Sequence, residues 1–273
     1  MDMKSRRHGC ELVPESANAL ETFGFVVLRQ FFDPGPLAAE IDKVMANGIL
    51  RDVPERGDIR FQYVPMMTAQ TPVSLSLLDR AETVAAVVFG GPVLPTRAKG
   101  TRYYGETPWH TDSDLPLRSV GFLAYLDPVG ADSGALRVIP GSHHEQFGEA
   151  IRGIGATCLR DPSLPGHVVA TEPGDMVLLD ERILHASFGG GIRRQWRVDY
   201  LSAPAETEVI LTKSYFARIY TPNWDGGYDV DRYPSYGPDW RESSRTVVAR
   251  LERLGVYELA TTQEAFMRSR PRH

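Results

Sequence analysis

The feature that most constrains this chain is a series of short apolar or alternating segments between residues 92 and 204, separated by Gly, Pro and Asp. Such segments, bounded by turn residues, are typical of strands, and many of them in succession predict a β-sandwich or barrel. The segments are PVLPTRAKGTRYYG (92–105), RSVGFLAYLDP (118–128), GALRVIPG (134–141), GHVVATEPGDMVLLDERILHASF (166–188) and RRQWRVDYLSAP (193–204). The 20 prolines and 25 glycines favour the same architecture over a helical bundle.

Segments with helical periodicity lie on either side of the β region. A β-branched and aromatic run at residues 24–32 predicts a first strand. Residues 33–48 and 74–90 follow as amphipathic helices, each with apolar residues at helical spacing and a terminal glycine. Residues 206–220 and 241–256 are also compatible with helices. We therefore expect a mainly β protein with flanking helices.

The pattern divides the chain into three parts. Residues 1–17 are expected to form a loose polar tail, and residues 18–204 the main domain with its N-terminal helices. Residues 205–273 form a helical and loop-rich extension. A chain of 273 residues is long enough to bury a full core. We expect the extension to pack on the same domain.

Charge and cysteine content limit the partners that fit this chain. The net charge is −5, which gives no overall attraction to nucleic acid or to an anionic membrane. The two cysteines are expected to be unpaired thiols in a reducing cytoplasm. The basic N-terminus lacks the apolar segment of a signal peptide, and no apolar run approaches the roughly 20 residues that span a bilayer. We expect a cytoplasmic monomer or homodimer that acts on a small molecule.

A histidine and an aspartate two residues apart, His110 and Asp112, follow a predicted strand in the segment TPWHTDSD. In a strand, residues i and i+2 point to the same side. With a second histidine, one imidazole and one carboxylate would complete a facial triad, which holds Fe(II) and leaves positions open. Zinc accepts the same ligands, so ligand type alone leaves the metal open. A single pair of this kind also occurs by chance on surface loops.

The third ligand has to come from another histidine. Five histidines are less suited to this role. His8 and His273 lie near the chain ends, His143 and His144 follow a turn signal, and His167 begins a predicted strand. His185 lies in the late β segment GDMVLLDERILHASF, and strands far apart in sequence can be neighbours in a closed sandwich. A buried histidine with a structural role fits the same position, so both interpretations stay open for His185.

Several motifs together resemble the phytanoyl-CoA dioxygenase family, a branch of the Fe(II)- and 2-oxoglutarate-dependent oxygenases. They are His110-Thr111-Asp112, GFLAYLDP, SGALRVIPGSHH (133–144), PGDMVLLDERILHAS (173–187) and an arginine shortly afterwards. The opening segment ETFGFVVLRQFFDPGPLAAEID (21–42) is also similar to the first strand and helix of that family. The resemblance covers residues 20–204 and does not extend to the C-terminal extension.

The resemblance implies a double-stranded β-helix, a jelly-roll with the metal inside one open end. It implies that His110, Asp112 and His185 bind Fe(II), with 2-oxoglutarate and O2 as cosubstrates. The enzyme would then be a dioxygenase that hydroxylates an aliphatic C–H bond. Related halogenases have a small residue where this chain has Asp112, so the resemblance favours oxygenation over halogenation.

The far carboxylate of 2-oxoglutarate needs a permanently charged partner, and arginine provides one with two parallel donors. The family places this arginine on the strand after the distal histidine, where the sequence offers Arg193, Arg194 and Arg197. The intervening loop is shorter than is usual for the family. The strand register favours Arg193, with Arg197 on the same face as the second choice. Ser187 is expected to point with His185 and to hydrogen-bond the same carboxylate.

The substrate is defined less well by the sequence. The segment RAKGTRYYGETPW (97–109) leads into the metal motif, and its basic and phenolic side chains indicate a polar or anionic small molecule. The residues that we expect to bind substrate are Arg102, Tyr104, Trp109 and Asp114. Arg102 and Tyr104 are in phase with His110 only if no bulge intervenes. By analogy with the family, the substrate belongs to specialised (natural-product) metabolism.

Other functions are compatible with the same residues. Within the oxygenase class, desaturation, epoxidation and ring formation share this iron site. A cupin-like isomerase or sensor would keep the metal ligands but would need no arginine for 2-oxoglutarate, and the arginines at 193–197 weigh against it. A β-sandwich interaction module would leave the motif SGALRVIPGSHH unexplained.

Overall fold

The computed structural model describes most of the chain, namely residues 14–47, 60–157, 159–222 and 228–269. Most of the expected polar tail, residues 1–13, lies outside these ranges. The structure differs from the expectation at residues 14–17, which form the first turn of a helix. No helix within the described ranges is long and apolar enough to cross a membrane.

Most strands and helices follow the order that the sequence pattern predicts. The strands are β1 (Phe25–Leu28), β2 (Arg60–Pro65), β3 (Val93–Pro95), β4 (Lys99–Tyr104), β5 (Thr107–His110), β6 (Ser119–Tyr125), β7 (Leu136–Val138), β8 (His167–Val169), β9 (Met176–Asp180), β10 (His185–Ser187) and β11 (Arg193–Ser202). The helices are α1 (Pro14–Phe23), α2 (Pro34–Asn47), α3 (Pro72–Phe89), α4 (Glu145–Thr157), α5 (Val209–Ile219), α6 (Pro238–Arg241), α7 (Thr246–Arg253) and α8 (Val256–Arg268). The helices expected at 33–48 and 74–90 are observed as α2 and α3. Helices α1 and α4 and strand β2 are additions to the predicted order.

The larger of two antiparallel sheets has the strand order β1-β9-β6-β11-β4-β2, and β3 also pairs with β11. Strand β11 is central, because it pairs with β6 on one side and with β4 and β3 on the other. Successive residues of β11 point to opposite faces of the sheet. Trp196 and Val198 therefore point to one face, while Arg193 and Arg197 point to the other.

The smaller sheet has the order β5-β10-β7-β8. Residues from both sheets meet in one buried apolar cluster that includes Leu123, Tyr125, Leu136, Val138, Val177 and Leu179. Two facing antiparallel sheets that share this core form the double-stranded β-helix that the sequence predicts, so the fold class is confirmed. The candidate metal-binding residues and Arg193 lie in the inner space between the sheets.

Helices α2 and α3 cover the outer face of the larger sheet. Trp196 and Val198 are fully buried in the same cluster as residues of both helices. The indole Nε1 of Trp196 donates a hydrogen bond to Ser74 Oγ of α3 at 2.8 Å. A side chain at Gly100 would place its Cβ 2.7 Å from Met66 Sδ, so β4 needs glycine at this close approach. This layer fixes β11 and, with it, the arginines on its inner face.

The C-terminal extension packs against the jelly-roll. Trp240 of α6 belongs to the same buried cluster as Val93 and Leu94 of β3. The Tyr236 hydroxyl donates to the carbonyl oxygen of Pro95 at 3.3 Å. Apolar side chains of the extension are thus buried together with those of the main domain, and we propose that the two parts fold as one unit.

We expect Trp240→Ala to lower the free energy of unfolding by about 3–5 kcal/mol, because a large buried aromatic side chain is lost. Trp240 is 1% exposed. Urea unfolding followed by circular dichroism measures the change. The control is Ile210→Ala, at a side chain that is 78% exposed, and it should change the same quantity by less than about 0.5 kcal/mol. Equal effects of the two substitutions would contradict a shared core.

Candidate active site

Two histidines meet where β5 and β10 pair. The register places His185 opposite His110, and the centroids of the two imidazole rings are 4.2 Å apart. The His185 side chain is 6% exposed and that of His110 is 39% exposed. One ring is therefore enclosed by the protein, while the other is partly open to solvent. The pairing brings together the two histidines that the resemblance selects.

Asp112 joins the histidines from the bend after β5. Because β5 ends at His110, strand alternation does not position this carboxylate. Hydrogen bonds do so instead, since the amides of Asp112 and Ser113 donate to the carbonyl oxygen of Glu181 at 2.8 and 3.0 Å. Asp112 Oδ1 then lies 3.6 Å from His110 Nε2, and Oδ2 lies 3.5 Å from His185 Nε2.

The three side chains offer two imidazole nitrogens and one carboxylate oxygen within 4.8 Å of one another. His110 Nδ1 lies 2.7 Å from the carbonyl oxygen of Pro108, and His185 Nδ1 lies 3.0 Å from that of Ile183. With a proton on each Nδ1 donated to these carbonyls, both Nε2 atoms are free to bind a metal. Two histidines and one carboxylate on one side of a metal are the donor set of Fe(II) oxygenases, so the residues fit Fe(II).

The electrostatics favour the metal-binding forms of His185 and Asp112. Burial lowers the pKa of His185 to about 4, and the nearby His110 adds to the effect. Burial alone would raise the pKa of Asp112, but the charge of Arg197 holds it well below its usual value. Neutral histidine and ionised aspartate are the forms that coordinate a metal. His185 and Asp112 are thus ready to bind a metal at neutral pH.

Arg197 is neutralised by carboxylates of the protein. It donates to Asp112 Oδ2 at 2.8 Å and to Asp199 Oδ1 at 2.7 Å, and its Nη2 lies 3.6 Å from Glu181 Oε1. The register keeps it on the same face as Arg193, as expected. The charge of Arg197 is thus already paired within the protein, where it holds the Asp112 carboxylate. The choice between Arg193 and Arg197 for 2-oxoglutarate stays a prediction.

Arg193 is buried beside Ser187 and has no anionic partner among the described residues. Its Nη2 donates to Ser187 Oγ at 2.8 Å, and its Nη1 donates to the carbonyl oxygen of Gly105 at 3.0 Å. The guanidinium carbon lies 5.5 Å from the centroid of the Tyr103 ring. All of these partners are neutral, and a buried charge is costly unless it is paired. The site around Arg193 therefore fits an incoming carboxylate.

Two glycines make room for Arg193. A Cβ at Gly134 would lie 2.9 Å from the guanidinium carbon, and the φ of +81° at this position already favours glycine. A Cβ at Gly190 would collide with Nη1 of the same arginine. Ser187 Oγ in turn donates to the carbonyl oxygen of Gly134 at 2.9 Å. The motif SGAL and the glycine-rich loop thus hold the guanidinium beside Ser187.

We expect Arg197→Lys to weaken Fe(II) binding by about 10–100-fold, the usual cost of changing a group that orients a metal ligand. Lysine keeps the charge but lacks the planar fork that bridges Asp112 and Asp199. The KM for 2-oxoglutarate at saturating iron should stay within about threefold, because Arg193 is intact. Anaerobic calorimetry with Fe(II) and assays of succinate formation measure the two quantities.

The matched control is Arg194→Lys, one residue away on the outer face, where Arg194 pairs with Asp42 and Asp127. This control should leave both quantities unchanged. A large rise in the KM for 2-oxoglutarate in Arg197→Lys would instead assign cosubstrate binding to Arg197.

A cavity of about 190 Å³ lies beside Asp112. Its walls include Lys99 of β4, Glu181 and, from the extension, Tyr215 and Arg218 of α5. The four residues that we expected to bind substrate do not line this cavity. They are Arg102, Tyr104, Trp109 and Asp114.

Arg102 and Tyr104 do not share the inner face of β4. The register pairs Tyr103 with Arg193, so Tyr103 is the residue that points inward, and its two neighbours point outward. Tyr104 is accordingly 49% exposed. Gly105, with a φ of +89°, follows the strand. The inward and outward alternation of side chains in β4 therefore does not continue into β5. The prediction that Arg102 and Tyr104 face the same side as His110 required a continuous strand.

Trp109 and Asp114 also lie away from the cavity. Trp109 precedes His110 in β5 and points to the opposite side, where it is fully buried with its ring centroid 6.1 Å from that of Phe188. Asp114 is exposed and forms an ion pair with Arg218. It therefore reaches the cavity only through this arginine. The Trp109 side chain is therefore held by packing against Phe188, and the Asp114 side chain is held by its ion pair with Arg218.

The sequence did not single out Glu181, Asp199 or Tyr215, which line the same cavity. Burial and the charges of Asp199 and Asp112 raise the pKa of Glu181 to about 8, so this carboxyl is mainly protonated at neutral pH. The Tyr215 hydroxyl donates to Glu181 Oε2 at 2.8 Å. Glu181 could have been noticed in the sequence, because it is an acidic residue at the end of the apolar run MVLLDE. Tyr215 lies outside the resemblance, and no local pattern connects it to the site.

Comparison with known families decides the class of this protein. The family model of phytanoyl-CoA dioxygenase (PhyH) matches residues 20–195. The chain belongs to the phytanoyl-CoA dioxygenase family. The matched range contains the three metal-binding candidates and Arg193, and it ends before the C-terminal extension. A search of curated proteins finds no significant match.

Solved structures of similar fold agree with this family. HygX from Streptomyces hygroscopicus, with nickel and 2-oxoglutarate bound, is 21% identical with a TM-score of 0.57, over 70% of this chain and 88% of its own. AviO1 from Streptomyces viridochromogenes Tue57 is 21% identical with a TM-score of 0.55, over 70% of this chain and 95% of its own. SnoN, a non-heme alpha-ketoglutarate-dependent epimerase from nogalamycin biosynthesis, is 20% identical with a TM-score of 0.54, over 69% of this chain and 82% of its own.

Family membership and the metal-binding triad together define the chemistry of the protein. It is an Fe(II)- and 2-oxoglutarate-dependent dioxygenase, and the predicted family, enzyme class and cofactors are confirmed. This class leaves no role for the cupin-like isomerase or sensor that the sequence also allowed. The reaction outcome and the substrate are not determined by the class.

Proposed function

We propose that this dioxygenase hydroxylates an aliphatic C–H bond of a polar small molecule in specialised (natural-product) metabolism. The observation that carries the proposal is a complete facial triad together with a buried arginine that has no anionic partner among the described residues. The metabolic setting is supported by the likeness in fold to SnoN from nogalamycin biosynthesis.

His110, Asp112 and His185 hold Fe(II) in this proposal. The histidines are oriented by the hydrogen bonds between their Nδ1 atoms and backbone carbonyls. Arg197 fixes the carboxylate by binding Asp112 Oδ2 at 2.8 Å. Three protein ligands on one side of the metal leave the other positions open for cosubstrate and O2.

Arg193 and Ser187 bind the far carboxylate of 2-oxoglutarate. The guanidinium is the charged group, and the Ser187 hydroxyl at 2.8 Å from Arg193 Nη2 is close enough to contact the same anion. A bidentate pair of arginine and carboxylate fixes both the position and the direction of the cosubstrate. Ser187 lies on β10 two residues after His185, so the strand sets the distance between this anchor and the metal ligands.

Fe(II) held by the triad would supply O2 activation, in which one oxygen atom goes to succinate as 2-oxoglutarate loses CO2 and the other goes to the hydroxylated substrate. The chain contributes position and enclosure. Tyr215 and Glu181 form a buried wall beside Asp112, joined by their hydrogen bond. This wall excludes bulk water from one side of the site, which strengthens the electrostatic interactions within it. Partners beyond the small molecule, the monomeric or homodimeric state and the cytoplasmic location remain predictions from the sequence.

The experiment that tests this proposal measures succinate formation from 2-oxoglutarate in the presence of Fe(II), O2 and a panel of polar metabolites. We expect a substrate to increase succinate formation and to gain one oxygen atom as a new hydroxyl, observed by mass spectrometry and NMR. Loss of two hydrogen atoms would assign desaturation or ring formation, and an epoxide would assign epoxidation. An unchanged mass with inverted configuration would assign the epimerase reaction for which SnoN is named.

A further inference from the structure

The cavity beside Asp112 is small and is partly built by the C-terminal extension. Its volume is about 190 Å³, far more than the roughly 10–15 Å³ that a single water needs by the same measure. Asp112 and Arg197 line the part next to the triad, and Tyr215 and Ile219 of α5 line the part next to the extension. A small organic molecule fits this space.

Arg97 lines this cavity and is buried without an anionic partner in the part of the chain that the structure describes. It is 7% exposed. Its Nη1 donates to Gln263 Oε1 at 2.9 Å, and its Nη2 donates to the Tyr63 hydroxyl at 3.3 Å. The guanidinium carbon lies 4.8 Å from the centroid of the Tyr220 ring, and Nε has no hydrogen-bond partner in the described structure. Every contact of this buried cation is with a neutral group.

The partners of two other buried arginines, Arg197 and Arg193, can be compared with those of Arg97. Arg197 is neutralised by Asp112 and Asp199. Arg193 has only neutral partners within the described residues, and we assign it the carboxylate of 2-oxoglutarate. Arg97 resembles Arg193 in that its hydrogen-bond partners among the described residues are all neutral. Because burial of an unpaired charge is strongly unfavourable, Arg97 is suited to an anion that comes from outside the protein.

Lys99 adds a second cation to the same cavity. The register places it on the inner face opposite Arg197, and it forms no ion pair with a described carboxylate. Burial lowers the pKa of Lys99 to about 8, so it is mainly protonated at neutral pH. Arg97 and Lys99 are therefore the two cations of this cavity that form no ion pair with a described carboxylate, whereas Arg197 is paired with Asp112 and Asp199.

We propose that this cavity binds a small organic anion as the substrate, with its carboxylate or phosphate held by Arg97 and Lys99 and its reacting carbon directed toward the triad. The inference rests on the proposed oxygenase function and narrows the substrate class of the same site. The link from Arg97 to Gln263 in α8 gives the C-terminal extension a role in forming the anion site.

The test uses full-length protein loaded with Ni(II) and saturated with 2-oxoglutarate, so that Arg193 is occupied and no turnover takes place. The probes 4-fluorobenzoate and 4-fluorobenzamide differ in charge and have nearly the same shape. Fluorine NMR linewidths give the dissociation constant of each probe. We expect the benzoate to bind at least about tenfold more tightly than the amide, because a charge-assisted pair forms. Inorganic phosphate should displace it, and equal affinities would overturn the proposal.

Arg97→Gln should weaken benzoate binding at least about tenfold without changing the affinity for 2-oxoglutarate, and Arg97→Lys should retain part of the binding. Arg29→Gln, at an exposed arginine paired with Asp175, is the control and should have no effect. Unchanged benzoate affinity in Arg97→Gln would contradict the assignment. If this variant does not fold, the relative affinities of the two probes and the phosphate competition in the wild type still test whether the cavity prefers an anion.

The outcomes also separate this inference from the proposed function. Failure of 2-oxoglutarate to bind the metal-loaded wild type contradicts the oxygenase site itself. Binding of 2-oxoglutarate without a preference for the charged probe contradicts only the anion site.

Discussion

Replacing His185 by alanine is expected to abolish tight Fe(II) binding and, with it, succinate formation. The substitution removes one of the two imidazole nitrogens that face Asp112. Loss of a group that merely orients a metal ligand weakens affinity by about 10–100-fold, so we expect loss of a direct ligand to exceed this range. Anaerobic calorimetry measures Fe(II) affinity, and an assay of succinate measures turnover.

His167→Ala is the matched control for this experiment. His167 is an exposed histidine at the start of β8, two strands from His185 in the same small sheet, and it is not one of the three metal-binding candidates. Its replacement should leave both Fe(II) affinity and succinate formation unchanged. Iron affinity in His185→Ala equal to that of the wild type would remove His185 from the ligand set.

Arg193→Gln is expected to raise the KM for 2-oxoglutarate at least about 30-fold, because removing one partner of a buried, hydrogen-bonded charge pair costs about 2–5 kcal/mol. The neutral glutamine can still contact Ser187 but provides no charge for the carboxylate. Fe(II) affinity measured without cosubstrate should stay close to that of the wild type, since Arg193 touches none of the three metal-binding candidates. Steady-state succinate formation as a function of 2-oxoglutarate concentration measures the effect.

Arg194→Gln is the control for Arg193→Gln because it removes the neighbouring charge from the outer face of the same strand. It should leave the KM for 2-oxoglutarate unchanged. A similar KM in both variants would show that the cosubstrate carboxylate is bound elsewhere, and Arg197 would then be the next residue to substitute.

The β core and its flanking helices follow from local pattern. The strands alternate or are apolar throughout, and turn residues separate them, so their existence is readable from the sequence. Their pairing is not, because His110 and His185 become neighbours only through the register of β5 with β10. The resemblance supplied this pairing before the structure did. Helix α4 was not expected, since its segment follows a turn signal and has several glycines.

Strand alternation could not position all of the candidate site residues, for one physical reason. Strand alternation fixes which side chains share a face only while the strand is continuous. Gly105 separates β4 from β5, so the phase of His110 gave no information about Arg102 and Tyr104. Asp112 lies beyond the end of β5 and reaches the site through hydrogen bonds to Glu181, which alternation could not predict.

Contacts that depend on the tertiary arrangement were not accessible from the sequence. Arg197 had the position expected for a cosubstrate anchor, but Asp112 and Asp199 neutralise it in the folded protein. Tyr215 and Gln263 come from the C-terminal extension and meet the site only because the extension packs on the jelly-roll. Neither residue has a local signature that separates it from an ordinary helix residue.

The most direct test of the central claim is an anaerobic titration of the metal-free protein with Fe(II) and then 2-oxoglutarate. A cosubstrate that chelates the iron through its 2-oxo and carboxylate oxygens produces a weak visible charge-transfer band. The account predicts this band in the wild type and its absence in His185→Ala. Iron bound in the wild type without any band would show that 2-oxoglutarate does not chelate the metal, and it would contradict the assigned site.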